Sequence, residues 1–270
     1  MKNKNKPLNR VLSVTDYEGY NHRKAWETEL AEYALKKLGA VHAEAEILGV
    51  GAGKETTIFN LSTQVKRVWA TDLYLIAGDW HAHAPVEMLI TPERYAPNSA
   101  YDLQRIVVQH MDALVLRYPD DSFDGIFSCG SLEHFGEWDA IVTAGKEMFR
   151  VLKPGGVASI ATEFRISGEG DGWDGVKLFD RDRILNWIEA TGFELVDNPS
   201  LELEVDEETL ATTHSLEAIV IDNQWPEVEG VLQNAQYTFT SVHLALRKPD
   251  PNAEPVEVAP KPARKPRKTT

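Results

Sequence analysis

At 270 residues, 43% apolar and 26% charged, the chain has the size and balance of one large globular domain and is too short for two. A formal charge of −14 argues against nucleic acid or an anionic membrane as partner, because phosphate binding rests on clustered Lys and Arg. Cys129 is the sole cysteine, which excludes an internal disulfide or a cysteine-based zinc site; with neither a bilayer-length apolar run nor a signal-like leader, a cytoplasmic location is expected.

After an N-terminal extension over 1–19, Trp26, Leu30, Tyr33 and Leu38 recur at near-helical spacing, and Gly39 supplies a stop. Residues 45–50 read as a short apolar strand running straight into Gly51-Ala52-Gly53. Helical character resumes over 55–61, and 65–70 form a second strand closed by Thr71-Asp72. The connection 73–105 is long and carries Trp80, His81, His83, Tyr95 and Tyr101, which predicts a lid or binding loop. Strands follow at 106–109 and 123–127, then a helix over 138–152 terminated by Lys153-Pro154-Gly155-Gly156, and a fifth strand at 157–161. A helix over 181–191 closes at Gly192, a strand begins at 193–196, and 201–205 alternate as a half-exposed strand does. Residues 237–246 supply the last strand. The Pro-rich stretch 249–270, with Lys261, Arg264, Lys265, Arg267 and Lys268, is expected to be a flexible tail, leaving 20–248 as the domain. Strands alternating with helices and then giving way to β-rich sequence predict an α/β fold. Its sheet is mostly parallel, with helices on both faces and an antiparallel strand at the end.

The chemistry concentrates where the first strand meets the glycines. Strand, glycine turn and helix in that order expose main-chain N–H groups at a helix start and let a ligand approach the backbone closely. The spacing fits neither the dinucleotide fingerprint, which lacks its third glycine at Lys54 or Thr56, nor a phosphate loop, which would need glycine at Leu48 and Ser or Thr at Glu55. Asp72, about 20 residues on and at a strand end, is placed to accept hydrogen bonds from a ribose diol, and Asp112 to accept one from an adenine amino group. Each alone would equally serve as a cap or turn residue.

The runs 47–53, 70–72, 110–113, 122–128 and 147–156 resemble the successive motifs of class I S-adenosylmethionine-dependent methyltransferases over about residues 45–165. The resemblance implies a Rossmann-like doubly wound sheet of seven strands, one of them antiparallel. It also implies S-adenosylmethionine held along Gly49, Gly51, Ala52, Gly53, Asp72, Leu73, Met111, Asp112, Ala113 and Ser128. Two positions depart from the family pattern: Gly49 stands where an acid is usual, and Glu55 where a third glycine is common. Glu55 or a residue of the N-terminal helix is then left to anchor the amino-acid end of the cofactor.

The resemblance puts the acceptor pocket beyond the fourth and fifth strands, among Ser131, Glu133, His134 and Phe135 and then Glu163, Phe164 and Arg165. His134 is the leading general base and Glu133 the next, since imidazole titrates near working pH. Trp80, His81, His83, Glu163, Arg165 and Trp173 are the expected acceptor contacts, although aromatic residues in such a loop equally anchor it to the body. His81 and His83 do not by themselves make a metal site, and no metal is expected. The expected reaction is oxygen-directed methylation of a small molecule or glycan. A weaker likeness of the 49–55 and 70–74 signatures to methyltransferases of surface-polysaccharide genes bears only on the acceptor. A non-catalytic cofactor-binding regulatory or scaffold protein of the same fold is the alternative, motivated by Gly49.

Overall fold

The computed structural model describes residues 6–16, 22–76, 84–197 and 201–252. In chain order the elements that build the domain are β1 (Arg10–Val11), α1 (Arg23–Lys37), β2 (Glu46–Val50), α2 (Thr56–Ser62), β3 (Arg67–Asp72), β4 (Ile106–His110), β5 (Phe123–Cys129), α3 (Trp138–Val151) and β6 (Leu152–Ser167). There follow β7 (Gly172–Trp173), β8 (Val176–Lys177), α4 (Arg181–Thr191), β9 (Glu194–Leu195), α5 (Glu207–Leu210), β10 (Thr213–Ser215), α6 (Leu216–Val220), β11 (Val231–Asn234) and β12 (Tyr237–Arg247).

The main sheet runs β10-β11-β12-β6-β5-β2-β3-β4, with β1 and β9 also paired to β12. Strands β2 to β6 are mutually parallel and β12 is antiparallel to β6, as the α/β reading expects. The sheet counts ten strands among the described residues, rather than seven, because short pieces add to β12 along its outer edge. Ile47, Leu48 and Val50 of β2 are fully buried, the pattern of a parallel strand covered on both faces. Ala31 and Leu35 of α1 cluster with Ile58, Phe59 and Leu61 of α2, while Ile141, Ala144 and Met148 of α3 pack with Ile184, Trp187 and Ile188 of α4 in a second cluster. From β2 the chain steps to β3 on one side, and β5 takes the other. The order therefore reverses between β2 and β5, where open α/β sheets form their ligand crevice.

Two expectations are corrected. Residues 201–205 form no strand. The edge of β12 away from β6 is already taken by β9, β1 and β11, so their alternation serves another purpose: Leu201, Leu203 and Val205 pack into the core cluster of α3 and α4. Lys153-Pro154-Gly155-Gly156 follows the end of α3 at Val151, as expected, but β6 already begins at Leu152 instead of 157 and takes in these residues. Phe123 pairs with Leu152 and Gly125 with Val157, so the four residues are looped out of the ladder, and Gly155 takes a positive φ of 76°.

Residues 8–12, upstream of the expected domain start, are fastened to it. Leu8 and Leu12 pack with Trp26 and Leu30, and Asn9 Nδ2 donates to Asp197 Oδ1 at 2.9 Å. His243 of β12 lies beneath them, fully buried, its Nδ1 2.9 Å from the Leu8 carbonyl oxygen and its Nε2 2.7 Å from Ser159 Oγ. A carbonyl only accepts, so a proton sits on Nδ1. Burial lowers the His243 pKa to about 4. The unfolded ring takes up its proton near ~6.5, so this contribution is whole above that pH and falls as pH drops toward 4. Loss proceeds at roughly 1.4 kcal/mol per pH unit, about 3 kcal/mol in all. Urea unfolding at pH 7 and pH 5 should show the decline, and His243→Gln should flatten it; an equal slope in the variant contradicts the assignment.

Candidate active site

The β2–α2 turn is built by conformations that only glycine adopts easily. Gly51 and Gly53 have φ of 62° and 50°. A Cβ on Gly51 would lie 2.6 Å from Ser131 Cβ, so the missing side chain lets the turn close against the segment after β5. Ser131 Oγ donates to the Gly51 carbonyl at 2.6 Å, joining the two strand ends that flank the reversal point. Ala52 is fully buried, and its N–H is used on the Thr71 carbonyl at 3.0 Å.

Asp72 turns back onto this loop. Its Oδ2 accepts from Gly53 N at 2.8 Å and its Oδ1 from Leu73 N at 2.6 Å. Each carboxylate oxygen keeps a second lone pair, which is what a vicinal diol requires. Burial raises the Asp72 pKa, while the two backbone donors work in the opposite direction. Met111 N donates to the Asp72 carbonyl at 3.0 Å, and Asp72 pairs with His110 in the ladder, so Asp112 stands on the neighbouring strand tip. Asp112 Oδ1 caps Leu114 N at 2.9 Å. Met111 and Ala113 pack against the core edge, Leu73 is exposed, and Ser128 is buried with its hydroxyl unpartnered. The glycine turn and both acids thus share the carboxyl end of the sheet. Removing a carboxylate that holds a diol costs about 1.5–3 kcal/mol. Asp72→Ala should therefore weaken S-adenosylhomocysteine binding roughly 10- to 100-fold in calorimetry; equal affinity would contradict the ribose role.

Gly49 explains its own departure from the family pattern. A Cβ there would sit 2.5 Å from Phe127 Cζ, so the ring occupies the space an acid would need. Charge is supplied instead by α1 and its neighbours. Arg23 Nη1 meets Glu163 at 2.5 and 2.6 Å, its Nε meets Glu229 at 3.0 Å, and Glu27 lies at 3.4 Å; Glu27 also accepts from the Ser241 hydroxyl. Lys24 Nζ reaches Glu27 at 3.2 Å and Glu163 at 3.4 Å. Burial opposes the charge of Glu163, but Arg23 and Lys24 hold its carboxyl below the usual range. Glu163, expected from sequence as an acceptor contact, has its oxygens engaged by Arg23 and Lys24 of α1. This network is not legible in the sequence: Arg23 and Glu27 fall on the face of α1 that carries Leu30 and Ala34, a register that does not reveal buried charge.

On the acceptor side Glu133 is fully buried, its Oε2 accepting from Thr162 Oγ1 at 2.7 Å and its Oε1 lying 3.9 Å from His134 Nε2. Burial raises the Glu133 pKa, with His134 acting against it. His134 Nδ1 stands 2.9 Å from the Gly175 carbonyl in the β7–β8 hairpin, so a neutral ring carries its proton on Nδ1 and its lone pair on Nε2. Arg165 is tied to the Gly170 carbonyl and to Asp180, and Trp173 packs on Tyr237 and Phe239 at 5.9 and 5.4 Å between centroids. Trp173 belongs to the hairpin whose Gly175 meets His134. Trp80, His81 and His83 lie outside the described residues. From the same long connection Tyr101 stacks edge-on to Phe59 and Asp102 N bonds Ser62 Oγ at 2.8 Å, so its later part is anchored to α2.

Residues 48–160 match the family described as the methyltransferase domain. A rice (Oryza sativa subsp. japonica) chloroplastic 2-methyl-6-phytyl-1,4-hydroquinone methyltransferase is 28% identical over 149 residues, which are 55% of this chain and 38% of that protein. The chain therefore spans well under half of that relative's length. Among solved structures, a sarcosine dimethylglycine methyltransferase assigned in Galdieria sulphuraria has a TM-score of 0.54 at 18% identity, covering 84% of this chain and 86% of that one. The cyclase SpnF gives 0.56 at 19% identity, covering 87% and 85%. At such identities the structures speak to fold, and the cyclase shows that this fold hosts other chemistry. The sheet order and its reversal point are those of the Rossmann-like fold that these structures share. Residues 48–160 are thus similar to the methyltransferase domain family, a match that takes in less than half of the chain.

Proposed function

We propose that the chain is an S-adenosylmethionine-dependent methyltransferase acting on a small molecule or glycan, with transfer directed to oxygen. The observation that carries the reading is the convergence of the Gly51–Gly53 turn, Asp72 on the Gly53 amide and Asp112 on the adjoining strand tip. These residues fit the cofactor: main-chain amides and carboxylates suit a nucleoside. Bound there, the cofactor supplies an activated methyl group on a sulfonium. The chain's remaining task is to align the acceptor and take its proton.

His134 is the group for that task. Its Nδ1 proton is fixed on Gly175, so Nε2 receives the acceptor's proton, and Glu133 at 3.9 Å offsets the charge that the ring gains. That arrangement supports a hydroxyl acceptor, which must lose a proton on methylation. A small-molecule acceptor is also what the rice relative's name states for that protein. Incubating the chain with methyl-labelled cofactor and cell extract, and following label by mass spectrometry, tests the reading. Label on a hydroxyl of a small molecule or sugar is expected. Cofactor binding without any labelled product would support a non-catalytic protein of the same fold.

A further inference from the structure

We propose that Tyr74 is a positioning residue: its hydroxyl locks the glycine turn in the conformation that holds the Asp72 carboxylate ready for a ribose diol. This rests on the methyltransferase reading above and adds to it a residue that touches no ligand.

Asp72 and Tyr74 stand two apart at the tip of β3 and both reach the β2–α2 turn, while Leu73 and Leu75 are exposed, the alternation of an extended chain. Tyr74 Oη donates to the Gly53 carbonyl at 2.7 Å, and Gly53 N donates to Asp72 Oδ2 at 2.8 Å. The peptides on both sides of Gly53 are thus pinned from one strand tip. Two further bonds fix the start of the turn: Thr71 Oγ1 donates to the Gly49 carbonyl at 2.8 Å, and Ala52 N to the Thr71 carbonyl at 3.0 Å. The Tyr74 bond acts beyond Gly53, where the chain runs on to α2.

That is where a hold is needed. Gly53 sits at φ 50°, but glycine enters other regions about as readily, so its own backbone does not keep the turn in one of them. Tyr74 is suited to supply the restraint. It is buried in the cluster that contains Ile58, Phe59 and Ala70, which fixes its ring, and a hydroxyl buried there needs a partner, found in the Gly53 carbonyl. Burial raises the phenol pKa, and the Asp72 and Glu55 carboxyls add to the effect, so the group stays protonated and remains a donor. Without the hydroxyl, Gly53 samples other conformations and Asp72 loses the amide that orients its carboxylate. Affinity for the nucleoside then falls with the fraction of chains whose turn is still competent.

Calorimetry on the full chain with two probes tests this: S-adenosylhomocysteine, and 5′-methylthioadenosine, which has the same nucleoside without the amino-acid end. Tyr74→Phe keeps the ring and removes only the hydroxyl. It should weaken both probes alike, by about 3- to 10-fold. In an Asp72→Asn background the same change should cost less than about twofold more, because its effect runs through that carboxylate. Hydrogen exchange of the Gly53 amide in the ligand-free chain should quicken in Tyr74→Phe. A hydroxyl that served packing alone would lower the melting temperature and leave affinity, measured well below melting, as it was. Unchanged affinity, unchanged exchange at Gly53, or an equal loss with and without the Asp72 carboxylate overturns the assignment and leaves the parent reading standing. A wild type that binds neither probe at millimolar concentration overturns both.

Discussion

Arg23→Ala should destabilise the chain by about 3–5 kcal/mol, the loss seen when one partner of a buried ion pair is removed and the other charge is stranded. In a domain of this size that lowers the melting temperature by roughly 6–20 °C. The effect is large because Arg23 serves Glu163 of β6, Glu229 before β11 and Glu27 of its own helix, so its loss exposes three buried carboxylates to one another. Glu163→Gln added to Arg23→Ala should recover part of the loss, since it removes the most closely paired of the three. Arg23→Lys should recover little, because an ammonium lacks the planar fork that meets Glu163 and Glu229 together. Thermal melts of the three variants check this. An Arg23→Ala melting temperature within about 2 °C of the wild type, about 0.5–1 kcal/mol, contradicts the account of the network.

His134→Ala should lower kcat about 10²- to 10⁴-fold, the usual worth of a positioned general base, while leaving S-adenosylhomocysteine affinity unchanged. The lone pair directed by the Gly175 bond and the buried Glu133 behind it act as one device. Glu133→Gln in the His134→Ala background should therefore cost little more than His134→Ala alone. Single-turnover rates with the acceptor identified by label transfer separate chemistry from binding. A rate equal to the wild type would return His134 to a purely packing role between the hairpin and β5.

The parts of this account legible in the sequence are those where a local pattern and a tertiary role coincide. The β2 strand with its glycines, Asp72 at the end of β3, and α4 from Arg181 to the left-handed Gly192 each follow from nearest-neighbour chemistry and appear in the fold as read. Residues 201–205 show the limit: alternation reports one buried face, and whether a strand or an irregular segment presents it depends on which sheet edges are vacant. The looped-out residues 153–156 show another, since Pro-Gly-Gly signals an irregular backbone without saying whether it ends a helix or bulges a strand. Glu163 reads as an acceptor contact from its place beyond the fifth strand. Its partner Arg23 lies 140 residues away, and no local pattern carries that pairing. Gly49 looks like a deficiency until Phe127 is seen to fill the space.

A crystal structure of the full chain with S-adenosylhomocysteine tests the central claim most directly. The account predicts the ribose hydroxyls on the Asp72 carboxylate, the adenine beside Asp112 and the thioether facing the Gly51–Gly53 turn. A nucleoside bound elsewhere, with Asp72 still turned only onto the Gly53 and Leu73 amides, would contradict it.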